Sequence, residues 1–166
     1  MKAEVETSAP GAELLLPWDL AEWFDRDTLR QWMVEEVETL DWGNPDLADY
    51  LRTQPSFHPK VLLCVLPLAY ALAVYESEEI TRRCYADAVF QSLCGQHPPP
   101  GANTLIHFRR DNRGLLKWAL AQLFKRAMKE RLGEAQLPAG VRRYLEEAAG
   151  SRLDLGRHMD RGPLGD

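Results

Sequence analysis

The chain lacks any run of about 18 uncharged apolar residues, the length a membrane-spanning helix requires. The nearest approach, Val61 to Tyr75, is too short to cross a bilayer. A basic, apolar leader is also missing: the first residues carry Glu4, Glu6 and Glu13, which argues against a secretory signal and for a cytoplasmic protein. Cysteine is scarce. Cys64, Cys84 and Cys94 are odd in number and show no C-x-x-C spacing, which excludes a disulfide framework and suits buried thiols in a reducing compartment. Cys84, Cys94 and His97 lack the close ligand pairs of a zinc site, so no metal and no cofactor are expected. No segment alternates convincingly between apolar and polar residues, and the fold class expected is all-α. Nucleophile elbows, phosphate-binding glycine loops and H-E-x-x-H are absent as well. The four histidines share no triad or ligand spacing, and an enzyme is not expected.

What the chain does have is core material and separated charge. Of its 166 residues 45% are hydrophobic and five are Trp, enough for one domain with tails. The net charge of −5 is unevenly spread. Residues 1–56 hold four Lys/Arg and 13 Asp/Glu, a balance of −9, whereas residues 103–132 hold eight Lys/Arg and two Asp/Glu, a balance of +6. Such a division gives either a polarised surface that attracts an anionic partner or acidic helices docked on basic ones.

Periodicity and capping signals divide the chain into three stretches: a disordered tail over 1–14, a helical domain over 15–133, and a weak helix with a flexible tail over 134–166. Leu15 to Phe24, rich in aromatics, reads as an anchored opening segment. Thr28 to Leu40 places Leu29, Met33, Val37 and Leu40 on one helical face, with Asp25 or Asp27 as cap. A short turn is expected over Pro45 to Tyr50. Val61 to Tyr75 reads as a buried helix kinked at Pro67. Ser77 caps a helix to about Ala86, and Asp87 caps another that Gly95 closes. Pro98, Pro99 and Pro100 form a stiff connector. Asn103 then caps a helix from Thr104 to about Asn112, followed by a long amphipathic helix over Leu115 to Leu132. Val141 to Ala149 repeats the pattern weakly, and the residues from Gly150 onward read as a disordered tail.

The acidic residues suit no catalytic role. Asp19, Asp25 and Asp27 fit caps, and Glu35, Glu36 and Glu38 fit a solvated helix face. The basic segment is more telling. Arg109, Arg110, Arg113 and Lys117, with Lys125, Arg126, Lys129 and Arg131 beyond, are guanidinium and ammonium groups on helices, a pattern that supplies salt-dependent phosphate affinity. The helices at 77–86, 88–94 and 104–112 could form a helix-turn-helix-like trio, with Thr104, His107 and Arg110 turned outward near the start of the last helix. The connector is longer than the usual turn, and an ordinary surface helix explains the same residues.

Five segments in order resemble the N-terminal domain of bacterial insertion-sequence DDE transposases. Leu15 to Trp42 opens with L-L-P-W-D-L and ends in a Leu-Asp pair, like that family's L-P-x-D-L start. Phe57 to Leu63 (F-H-P-K-V-L-L) is similar to Y-H-P-R-x-L-L. Tyr70 to Cys84 (Y-A-L-A-V-Y-E-S-E-E-I-T-R-R-C) resembles Y-A-x-G-x-x-S-S-R-x-I-x-x-A-C. Asp87 to Gly95 (D-A-V-F-Q-S-L-C-G) and Asn103 to Asn112 (N-T-L-I-H-F-R-R-D-N) parallel D-x-x-F-x-W-L-x-G and S-T-I-x-x-F-R-R-x-N. The departures are Pro67, where the family has a plain helix, and Pro100-Gly101-Ala102 in place of Pro-Asp-His. The RNase-H-like domain with three metal-binding carboxylates, which follows in such transposases, has no counterpart here; Asp154, Asp160 and Asp166 have no flanking strand on which to assemble it. The resemblance implies a noncatalytic module that binds terminal inverted repeats, with Thr104, His107, Arg109, Arg110, Arg113 and Lys117 as contacts. Two alternatives stand beside it: a regulator that assembles with full-length transposase or with itself through the aromatic-rich opening segment and an uncovered apolar stripe on the Leu115 to Leu132 helix, or a gene remnant without a selected role.

Overall fold

The computed structural model describes residues 16–40, 59–133, 135, 137 and 139–161. The expected tail over 1–14 and the expected turn over Pro45 to Tyr50 lie outside them. The described residues form seven α-helices and one 3-10 turn, and no strand is formed among them: α1 (Arg26–Glu38), α2 (Pro59–Ala71), α3 (Ser77–Ala86), α4 (Ala88–Cys94), α5 (Ala102–Asp111), α6 (Arg113–Leu132) and α7 (Val141–Arg161), with the 3-10 turn at Leu20–Glu22. The fold is all-α.

α2 is the hub. Every residue from Val61 to Ala71 is buried, and α1, α3, α4, α5, α6 and α7 all pack on it. A helix apolar on all sides belongs at the centre of a bundle. Pro67 sits inside it, where the ring removes the amide that would bond one turn back. The helix stops at Ala71, four residues before the expected Tyr75, because the chain turns left-handed at Ala73 (φ 62°). There the Val74 amide donates to the Ala69 carbonyl at 2.8 Å and the Ala73 amide to Tyr70 at 3.2 Å. This is a Schellman closure, sealed by buried Val74.

Caps explain most of the other boundaries. Asp25 accepts the Thr28 amide at 3.1 Å, which starts α1 at Arg26. Asp87, the single residue between α3 and α4, accepts the Val89 amide at 2.9 Å, and Gly95 (φ 59°) closes α4. Two expected caps are corrected. Ser77 is the first residue of α3, and its amide and hydroxyl both donate to the carboxylate of Asp160, at 2.8 and 2.6 Å. α5 begins at Ala102, with Gly101 in the cap position and no side-chain cap bond, so Asn103 lies within its first turn. The connector is held instead by Thr81, whose hydroxyl donates to the Pro100 carbonyl at 2.9 Å.

The largest correction concerns the C-terminal region. The tail expected from Gly150 is the second half of α7, a helix of 21 residues. Leu145, Ala149 and Leu153 are buried along its inner face. Burying two leucines contributes about 1.5–3 kcal/mol each, against about 1 kcal/mol lost at each of Gly150 and Gly156. Packing therefore outweighs propensity. α7, α2 and α1 all pack on α6, and together they cover its apolar stripe. Leu115, Leu116, Leu120, Leu123, Phe124 and Met128 on α6 are all buried. The opening segment is anchored as expected, with buried Leu16 and Leu20. The Leu16 amide donates to the Tyr144 hydroxyl at 2.9 Å, and Arg152 of α7 donates to the Pro17 carbonyl at 3.2 Å.

Candidate nucleic-acid interface

The face of α5 that carries Ile106, Arg109 and Arg110 looks across a groove towards Leu153, Asp154 and Arg157 of α7. Positions three and four apart share a helix face, and Arg113, at the start of α6, extends the row. The groove encloses about 580 Å³. Arg110 is largely exposed, and its guanidinium pairs with neighbouring Asp111 at 3.0 Å. Arg113 is half-exposed, paired with Asp154 at 3.0 Å and donating to the Gly150 carbonyl at 3.4 Å. Arg157 is exposed and has no ion pair among the described residues.

Arg109 differs from the expectation. Its side chain is 5% exposed and pairs with Asp160, itself 6% exposed, at 2.6 Å. The same guanidinium donates to the Tyr70 hydroxyl at 3.2 Å. Burial works against the charge of Arg109, but Tyr70 and Asp160 outweigh it and hold the guanidinium protonated beyond its ordinary range. Burial likewise pushes the Tyr70 hydroxyl upward. Tyr70, Arg109, Asp160 and Ser77 thus form one network that joins α2, α5, α7 and α3. A buried pair of this kind is expensive to break, so the structure places Arg109 in the scaffold rather than at the surface.

The remaining expected contacts are divided. His107 is exposed on α5 and Thr104 is half-buried; neither lines the groove. Lys117 sits one turn beyond Arg113 on α6, and its side chain runs close to Gly150 of α7. α3, α4 and α5 do follow one another as helices, but α5 packs on α3 while α4 packs on α1, α2 and α3.

The far half of the basic helix is largely matched by acid and aromatic groups. Arg126 pairs with Glu35 at 2.8 Å and Glu36 at 3.4 Å and lies over the Trp32 ring at 5.2 Å. Glu35 is held below its ordinary range by hydrogen bonds from Gln31 and Arg126. Arg131 lies over Trp23 at 5.0 Å. Docking of acidic α1 on basic α6 therefore holds at this end. Four arginines line the α5–α7 groove; Arg109, Arg110 and Arg113 are paired with Asp160, Asp111 and Asp154, which leaves Arg157 as the cation without an ion pair among the described residues. Two other surface grooves each hold three cations against two carboxylates: one around Arg26, Arg82 and Arg83, the other around Lys125, Arg126 and Lys129.

The model of the family described as Transposase domain (DUF772) matches residues 19–111, more than half of the chain. The chain belongs to that family. The matched part of this transposase domain runs from the opening segment through α5, and it includes Tyr70, Thr104, His107, Arg109 and Arg110. Arg113, Lys117 and all of α7 lie beyond it. No curated protein and no solved structure matches the chain.

Sequence reasoning misses Asp154, Arg157 and Asp160 as parts of this transposase domain's arrangement. Their one local signal is a carboxylate and an arginine three residues apart. Gly150 and Gly156 mask it by making the segment look unable to hold a helix. Among the described residues no group of three or more His, Cys, Asp or Glu side chains is placed to hold a metal ion. No described helix is long and apolar enough to cross a membrane. Cys64, Cys84 and Cys94 are free and buried, as their spacing suggested.

Proposed function

We propose that this transposase domain is a noncatalytic DNA-binding module of a cytoplasmic, bacterial, DDE-type transposition system, recognising the terminal inverted repeats of an insertion element. The observation that carries the reading is the convergence of arginines on one groove of a transposase-family domain, where the ion pairs that hold Arg110 and Arg113 are solvent-accessible. Guanidinium groups present forked donors that suit phosphate oxygens, and phosphate contacts set position and affinity whatever the sequence. Exposed His107 and half-buried Thr104 are the candidates for base edges, one turn apart on the outer side of α5 as in a helix-turn-helix-like arrangement. Lys117 supplies a further charge to the strand.

Fluorescence anisotropy with a terminal-repeat duplex, taken at several salt concentrations, tests the reading. Phosphate contacts by Arg110, Arg113 and Lys117 give a log–log slope of about −2.7, at about 0.9 per contact. Undetectable binding at low salt, or binding indifferent to salt, would remove it. The noncatalytic part rests on the carboxylates. Two-metal phosphoryl transfer needs several convergent acids on a rigid frame, whereas Asp154 and Asp160 are engaged by Arg113 and Arg109. Plasmid carrying the repeats should stay uncut in magnesium or manganese; nicking lost on mutating one carboxylate would overturn this.

The alternative of a regulator that assembles with full-length transposase or with itself loses the uncovered α6 stripe as a support, because α1, α2 and α7 pack on α6 and the stripe is buried. Among the described residues, the exposed large apolar side chains Trp18, Tyr85 and Met159 are scattered along the chain rather than grouped in one sequence segment.

A further inference from the structure

We propose that α7 completes the phosphate site: Arg157, with Arg110 and Arg113, grips the backbone of one DNA strand in the α5–α7 groove, and Asp154 is the in-chain counter-ion that a phosphate displaces. The inference rests on the DNA-binding reading and adds to it a helix that lies beyond the residues matched by the family model.

Three observations carry it. Arg157 lines the groove from the side opposite Arg110 and Arg113, so an anion between the two helices meets cations from both. It is the groove arginine without an ion pair among the described residues, whereas Arg109 is occupied by Asp160, Arg110 by Asp111 and Arg113 by Asp154. Finally, the Arg113–Asp154 pair is an exposed one, with side chains 47% and 56% accessible. Exposed pairs hold weakly. A phosphodiester, with one charge and two free oxygens like the carboxylate, can replace Asp154 on Arg113 because neighbouring phosphates of the same strand engage Arg110 and Arg157 together with it. The buried Arg109–Asp160 pair behind it stays closed and keeps α7 in place. Ile106 and Leu153 give the groove apolar walls, against which a sugar can rest.

Three single substitutions test this on the full chain, with thermal melts to confirm folding. With Arg157 as a fourth contact the wild-type slope becomes about −3.6, and Arg157→Gln should weaken duplex binding about 5- to 10-fold at low salt and return the slope to about −2.7, a change of one phosphate contact. Asp154→Asn should tighten binding several-fold by freeing Arg113. Arg142→Gln removes the same charge from the other end of α7, about 22 Å along the helix, where the side chain is 91% exposed; it should change binding less than twofold. Equal losses for Arg157→Gln and Arg142→Gln would show an effect of net charge only and overturn the proposal. So would no loss for Arg157→Gln, or weaker binding for Asp154→Asn. If the wild-type chain binds no DNA, the functional reading fails first, and calorimetry with inorganic pyrophosphate judges the groove separately. Heat of binding lost in Arg157→Gln would keep it as an anion site, and no heat in the wild type would end both.

Discussion

Gly156 and Gly150 lie on the same helix and answer to opposite forces. A Cβ at Gly156 would come within 2.6 Å of the Tyr70 hydroxyl oxygen and 2.8 Å of its ring. That ring is fully buried and tied to Arg109, so it has nowhere to move. At Gly150 the nearest atoms are the ends of Arg113 and Lys117, at 3.6 and 3.7 Å, an ordinary contact. Gly156→Ala is expected to destabilise by about 1–3 kcal/mol, overpacking exceeding the gain in helix propensity. Gly150→Ala is expected to stabilise by up to about 1 kcal/mol. Urea denaturation of the two variants measures both, and the same sign for both would refute the account of how α7 approaches α2.

Asp87 shows how one side chain serves three elements. It caps α4 through the Val89 amide, receives a hydrogen bond from Arg26 of α1, and lies 3.8 Å from Arg83 of α3. Burial pulls its carboxyl pKa upward, but Arg26 and the Val89 amide outweigh that and hold it below its ordinary value. A carboxyl lowered on folding contributes stability that is present above its unfolded pKa, near 4, and is lost as pH falls through the folded value. Asp87→Asn keeps a capping side chain and loses the ion pairs. Its unfolding free energy should therefore fall less steeply than that of the wild type below about pH 4, in urea titrations across the acid range. An unchanged acid limb would show that the Arg26 and Arg83 pairs add nothing.

The Tyr70–Arg109–Asp160–Ser77 network joins four helices, and at the scale of the molecule it fixes where α7 lies. Asp160→Asn leaves the buried guanidinium without its counter-charge, which typically costs about 3–5 kcal/mol. The double variant Arg109→Met with Asp160→Asn removes that unpaired charge and should recover a good part of the loss. Thermal or urea unfolding of the three proteins gives the comparison. If the double variant is no more stable than Asp160→Asn, the loss comes from the two bonds that Asp160 accepts from Ser77 rather than from the ion pair.

Local rules make much of the molecule legible in its residues alone. The apolar run of α2, the stripe of Leu29, Met33 and Val37, the caps Asp25 and Asp87 and the stop at Gly95 all act within a turn or two of their own residues, so the all-α fold and most helix boundaries follow from them. The arginines on α5 and α6 are equally visible, because residue type and helical spacing are properties of the chain alone. Which arginines face solvent is not. Arg109 and Arg110 are neighbours of one chemistry, and only the arrival of Asp160 from 51 residues away buries the first and leaves the second exposed. The same holds for α7: its glycines argue locally against a helix, and burial on α6 and the close approach to Tyr70 reverse that. Propensity acts at about 1 kcal/mol per residue over short range, whereas burial and paired charge act across the chain at several times that size, and no reading of adjacent residues contains them.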